Sequence, residues 1–296
     1  MTPLRSLMFI PGDSVKKLAK ADTCGADAVI LDLEDAVAED NKPAARMLVG
    51  KFLQDRPKAG RKMQIWVRVN PLGTGLTLDD LVAVIGHEPD GIMQPKTDGP
   101  ADVEQLSHYI DALEVQSGID RGKIKIIPVA TETAIAPFSL GEFAYAGLER
   151  LAGLTWGAED LAAAVGGQGN RMPDGSWMYT YQMVRAQVLL AAHAAGVPAI
   201  DTLFADFRDE EGLRAESRLG RAEGFSGRLV IHPAQVVPVN ESFSPSKDEV
   251  AMARKIVAAF EAQPGTGAIG IDGKMYDIPH LKSARTTIVL HEASQA

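Results

Sequence analysis

The sequence predicts an α/β fold, an eight-stranded β/α (TIM) barrel with a C-terminal extension, and three observations carry that expectation. Eight short apolar runs rich in β-branched residues punctuate the 296-residue chain. Their starts lie about 32 residues apart, the length of one strand and its returning helix. The segments between them read as helices. Strand and helix in alternation imply a parallel sheet covered by helices, and eight repeats favour a closed barrel over an open doubly wound sheet.

The first run, RSLMFIP (5–11), breaks at Pro-Gly into the helix-like DSVKKLAKADTCGA. AVILDLE (28–34), QIWVRVN (64–70) and GIMQPK (91–96) follow; each is apolar until its last residues, as a strand buried on both faces should be. KIIPVATE (125–132), LAGLTWG (151–157), AIDTLF (199–204) and RLVIHP (228–233) complete the set. Between them, ADVEQLSHYIDALEVQSG and YTYQMVRAQVLLAAHAAG end in Gly, a common helix stop. A further helix, SKDEVAMARKIVAAFEAQ (246–263), closes a barrel domain expected over 1–263. Residues 264–296 are surplus to a barrel: a Gly-rich, hairpin-like stretch (264–276) leads to a short amphipathic helix from about 279. This tail reads as a lid or subunit-contact arm, or as a plain packed C-terminal helix.

Composition excludes several classes of function. No run approaches the roughly 18 apolar residues of a membrane span. The N-terminal MTPLRSLMFIPGD lacks a secretory pattern, so a cytoplasmic location is expected. A net charge of −9 without a basic cluster argues against nucleic acid. The single Cys24 cannot form an internal disulfide and reads as a small buried hydrophobe. GGQGN (166–170) lacks the context of a dinucleotide fingerprint and reads as a mobile loop running on into RMPDG.

Barrel sites form at the C-terminal ends of the strands. The polar residues there are Asp32, Glu34, Asp35, Arg68, Asn70, Gln94, Lys96, Glu132, Glu159, Asp160, Asp201 and His232. Glu132 stands out, because an ionised carboxylate at the end of a buried strand is costly unless compensated. Asp160 lies one 28-residue unit further on. Two carboxylates from adjacent strands either hold a hard cation such as Mg²⁺, which prefers one or two carboxylates plus water and substrate oxygens, or cap the helices that follow. Arg68, on a very apolar strand, should reach an internal acid or an anionic ligand. The acids of DLEDAV (Asp32, Glu34, Asp35) orient metal waters, pair with Arg68 or cap a helix. His232 could ligate or shuttle protons, or be structural.

The stretches LRSLMFIPG, DAVILDLEDAV with KPAAR, VRVNP, QPKT, TETA, WGAEDLA, GFSGRLVIHPAQV with VNESFSPS, and DGKMYDIPHLKSA, in this order, resemble the citrate lyase β-subunit-like and malyl-CoA lyase family. They run from residue 4 to about 285. The resemblance implies a Mg²⁺-dependent barrel that makes or breaks a carbon–carbon bond of a 3-hydroxyacyl-CoA, giving an acyl-CoA and a keto acid. It implies Glu132 and Asp160 as metal ligands, Glu132 beside the substrate, and Arg68 as holder of a substrate carboxylate or enolate oxygen. Asp277 in MYDIP would cross into a neighbouring subunit's site as general acid/base, in a homotrimer. No strand lysine is required, which leaves Lys96 a helper or a structural pair. The family's glycine after ETA is replaced by Ile135, Ala136 and Pro137, which could change the preferred keto acid. Within the same resemblance stand a citryl-lyase component acting on a carrier-protein thioester and a hydroxyacyl-CoA thioesterase; a non-catalytic binding barrel is the reading from another class.

Overall fold

A computed structural model describes residues 4–295; Met1–Pro3, the start of the N-terminal stretch read above, lie outside the described residues, as does Ala296. Each of the eight apolar runs overlaps a strand: β1 Ser6–Pro11, β2 Ala28–Asp32, β3 Gln64–Arg68, β4 Gly91–Gln94, β5 Lys125–Pro128, β6 Leu154–Thr155, β7 Ala199–Asp201 and β8 Gly227–Val230. They are hydrogen-bonded in the order β5-β4-β3-β2-β1-β8-β7-β6, all parallel. The seam between β5 and β6 closes through two isolated bridges, Ile126 with Leu151 and Val129 with Thr155.

Alternation along the strands sorts the side chains into two layers. Leu7, Ile30, Trp66, Met93, Ile127, Ile200 and Leu229 fill the barrel, whereas Val29, Leu31, Ile65, Val67, Ile92 and Ile126 face the helices. Trp66 takes so much of the interior that its neighbour on β4 has to be Gly91, where a Cβ would lie 2.1 Å from the indole ring. Continuing the inner parity carries Asp32 and Arg68, which are paired in register, to the top of the barrel.

Ion pairs brace the outer layer. The β5–β6 seam is clamped by Arg150, whose Nη1 donates to the Ile124 carbonyl at 2.7 Å and to Glu114 Oε1 at 3.0 Å. Glu114, fully buried on the helix Pro100–Gln116, also accepts the N–H groups of Gly122 and Ile124, both at 2.8 Å. Asp201 is likewise fully buried on the helix side of β7, held by Arg185, Arg228 and the Trp156 indole N–H. It therefore does not belong to the rim on which sequence order placed it. Cys24 is half-buried and donates to the Ala21 carbonyl at 3.0 Å.

Beyond the barrel, the helix Lys247–Glu261 starts at a capping box formed by Ser246 and Glu249. The hairpin β9 Ala268–Ile271 and β10 Lys274–Asp277 leads into the helix Ile278–Gln295. These pack on Lys247–Glu261 through a small separate core of Ile256, Phe260, Ile269, Leu281 and Ala284. The tail is thus an ordered unit seated on one barrel helix.

Glu114→Ala should cost about 3–5 kcal/mol, because it strands the buried Arg150 guanidinium and two backbone donors. Urea unfolding checks this; a loss below about 1 kcal/mol would show that the seam does not depend on the clamp.

Candidate active site

The site is built upward from β2 and β3. Arg68 donates from Nε and Nη2 to the two oxygens of Asp32, at 2.8 and 2.7 Å, a bidentate pair that fixes the guanidinium plane. Asp32 also accepts the N–H groups of Glu34 (3.0 Å) and Ala36 (3.1 Å), so one carboxylate ties the arginine to the turn after β2. Burial alone would raise the Asp32 carboxyl, but its bonds to Arg68 and to the backbone hold it below the usual range. Arg68 Nη1 lies 2.9 Å from Glu34 Oε2 as an ion pair that lacks hydrogen-bond alignment, leaving that buried oxygen without a donor. Of the two partners open to Arg68, the structure supplies the internal acids.

Glu132 lies beyond the end of β5, in the turn that follows, and is 5% exposed. Its Oε2 accepts the Lys96 N–H at 2.7 Å. Its other flank rests on Gly157, where a Cβ would meet the Glu132 Cγ at 2.7 Å and Oε1 at 2.8 Å, so only glycine leaves room for the carboxylate. Burial, then the negative charge of Asp160, pushes the Glu132 carboxyl up to about 8, against the pull of the Lys96 N–H. Asp160 stands in the first turn of the helix Ala158–Ala164, 3.3 Å from the Lys96 ammonium. That ammonium also contacts Glu34, and Asp35 at 3.2 Å. Lys96 thus joins β4, β5 and the β6 loop at one point.

Around these groups lies a cavity of about 290 Å³, lined by Asp32, Asp35, Arg68, Glu132, Glu159, Asp160 and the apolar walls of Phe9, Trp156, Leu203 and Leu229. It is at the small end of ligand pockets, enough for a short organic acid but not for a whole nucleotide thioester. Its donor set suits a hard cation: two carboxylates, Glu132 and Asp160, with space beside them for water or ligand oxygens. Among the described residues no cluster of three or more His, Cys, Asp or Glu side chains is placed to hold a metal.

The remaining candidates divide. Glu34 and Asp35 reach the site through Lys96, and Glu159 is held by Asn170 at 2.8 Å. Asn70 turns away to Asp80 and Lys42, Gln94 donates to the Asp102 carbonyl, and His232 caps a short helical turn and stacks on Phe207. Asp277 does not line the cavity of its own chain; it is bound to His280 on the tail, which holds its carboxyl low. Phe9, Trp156, Gly157 and Thr202 line the site without having been singled out. Strand parity was a usable signal for Phe9 and Thr202; Gly157 could be recognised only once Glu132 was seen packed on it.

A family model described as HpcH/HpaI aldolase/citrate lyase matches residues 5–233. The chain is 37% identical over 296 residues to a (3S)-malyl-CoA thioesterase of Cereibacter sphaeroides, covering 99% of this chain and 96% of that protein. It is 32% identical over 304 residues to the mitochondrial citramalyl-CoA lyase of Rattus norvegicus, covering 97% and 86%. Among solved structures, CitE from Mycobacterium tuberculosis in complex with magnesium, acetoacetate and coenzyme A superposes with a TM-score of 0.78 at 34% identity, covering 98% of each chain.

In chelator-treated protein, folded Glu132 keeps its proton to about pH 8, whereas the unfolded carboxyl releases it near 4.5. Between those values the folded state binds more protons, so this group's contribution to stability falls as pH rises and levels off above the window. Glu132→Gln keeps the shape and cannot ionise. Its stability advantage over wild type in EDTA should grow by about 3–5 kcal/mol from pH 5 to 9; urea curves showing a pH-independent difference would contradict the burial argument.

Proposed function

The chain belongs to the HpcH/HpaI aldolase/citrate lyase family, and from that premise and the rim geometry we propose that it is a Mg²⁺-dependent carbon–carbon lyase. Its substrate class is a 3-hydroxyacyl-CoA such as malyl-CoA or citramalyl-CoA, cleaved to, or condensed from, an acyl-CoA and a keto acid. The observation that carries this reading is the pair Glu132 and Asp160 meeting at one small cavity beside the fixed guanidinium of Arg68. The magnesium-bound CitE relative and the citramalyl-CoA lyase relative support it.

In cleavage the 3-hydroxyl loses its proton, its C–O bond becomes a carbonyl, and the C2–C3 electron pair passes into the thioester as an enolate, which takes a proton at C2. Glu132 and Asp160 would hold Mg²⁺, which when bound supplies Lewis acidity to the reacting oxygens. Arg68 stabilises developing negative charge, and Asp32 keeps its plane fixed so that no reorganisation is needed during reaction. The cavity holds the keto-acid end, and its volume leaves the CoA arm outside the rim. Asp277 from an adjoining subunit of a homotrimer would exchange the C2 proton as general acid/base; its absence from the cavity of its own chain fits a group delivered from outside. A cytoplasmic setting fits the single cysteine; among the described residues no helix is long and apolar enough to cross a membrane.

A hydrolytic outcome is the second reading, favoured by the malyl-CoA thioesterase relative. There water attacks the thioester carbonyl, releasing CoA and the intact hydroxy acid.

Incubation with malyl-CoA or citramalyl-CoA and Mg²⁺, followed by parallel assays of keto acid and free thiol, separates the two. Keto acid formed with an equal amount of acyl-CoA, abolished by EDTA and lowered about a hundredfold or more in Glu132→Gln and Asp160→Asn, is the expected result. Free thiol without keto acid establishes hydrolysis instead, and turnover that survives both substitutions removes the proposed metal pair.

A further inference from the structure

Lys96 is the residue the proposed chemistry leaves without a task, and its placement is unusual. Its φ is 49°, in the left-handed region that side-chain-bearing residues seldom occupy. Such a conformation persists where the surroundings over-determine it. Here its N–H holds Glu132 at 2.7 Å while its ammonium touches Asp160 at 3.3 Å, so a single residue engages both proposed metal ligands through different groups. Arg68 is committed to Asp32 and Glu34, which leaves Lys96 as the cation facing Asp160. The ammonium is a point charge on a flexible stem, and Glu34 and Asp35 already lie within its reach. It can therefore leave Asp160 without losing a counter-charge.

We propose that Lys96 is a tethered counter-ion for the divalent-cation site: its ammonium neutralises Asp160 while no ion is bound and yields that contact when one binds. The inference rests on the assignment of Mg²⁺ to Glu132 and Asp160. Two cations sharing one carboxylate repel each other at short range, so the ammonium weakens the hold on the ion. In return it keeps the cluster of acids from repelling itself apart when the site is empty. The Glu132 contact, made by the backbone, persists in both states. Lys96 on this account is a positioning residue that sets metal affinity.

The test is a Mg²⁺ titration of the full-length protein without substrate, followed by calorimetry. Lys96→Met should bind Mg²⁺ about tenfold or more tightly than wild type, and Lys96→Arg, which keeps the charge, should bind like wild type. Metal-free Lys96→Met should unfold at lower urea than wild type and recover on adding Mg²⁺. Affinity equal to or weaker than wild type in Lys96→Met overturns the counter-ion role while leaving the metal site in place. Wild type that binds no Mg²⁺ overturns the metal assignment itself, and the counter-ion role with it.

Discussion

The site depends on one constraint: a carboxylate, Glu132, is packed at the mouth of an apolar barrel where burial leaves it poorly solvated. Left alone it would stay protonated, and burial does push it up to about 8. The fold answers with a single backbone donor from Lys96 and a glycine that makes room, not with a direct salt bridge to a side chain. The arginine within its field, Arg68, is spent on Asp32 and Glu34. Glu132 is therefore under-compensated by design of the packing, and a group so placed favours the arrival of positive charge.

The barrel makes this possible by separating its stabilising charges from its reactive ones. Pairs such as Glu114 with Arg150 and Asp201 with Arg228 lie between strands and helices, buried and away from the rim. Inside the barrel the packing is apolar and tight enough that Trp66 tolerates only Gly91 beside it. A rigid floor of that kind lets Asp32 and Arg68, adjacent in register on β2 and β3, present a fixed guanidinium plane, braced by the turn after β2 through the Glu34 and Ala36 N–H groups. Lys96 and Asp160 pair above that floor, one in the turn after β4 and the other in the first turn of the helix Ala158–Ala164.

Much of this was legible in the sequence. Every one of the eight apolar runs overlaps its strand, because runs buried on both faces keep a clear apolar signature. The hairpin of the tail was legible from its Gly-rich turns, but the final helix, Ile278–Gln295, is 18 residues long and lacks the amphipathic pattern of the short helix expected there. Within the site, Asp32, Arg68, Glu132 and Asp160 line one cavity. Gln94 and Asp201 do not, since strand alternation turns them to the helix side, and the parity of Met93 and Ile200 beside them carried that information. Asn70 has the inner parity of Arg68 but lies past the strand, where Asp80 from the next helix captures it. That capture, like the left-handed turn that aims Lys96, is a tertiary event that no local spacing encodes.

The tail's chemistry bears on reaction direction. Asp277 is half-buried, and its hydrogen bond to His280 holds its carboxyl below the usual range, so near neutral pH it is present as the carboxylate. A carboxylate is ready to accept a proton and has none to give. If this residue serves a neighbouring site, the tail as it stands is set for removing the C2 proton of an acyl-CoA, the condensation direction. Cleavage requires the same carboxyl to arrive protonated. The protonation state of Asp277 would then bear on how readily each direction starts, while the balance between the two directions is set by the reactants and not by the protein.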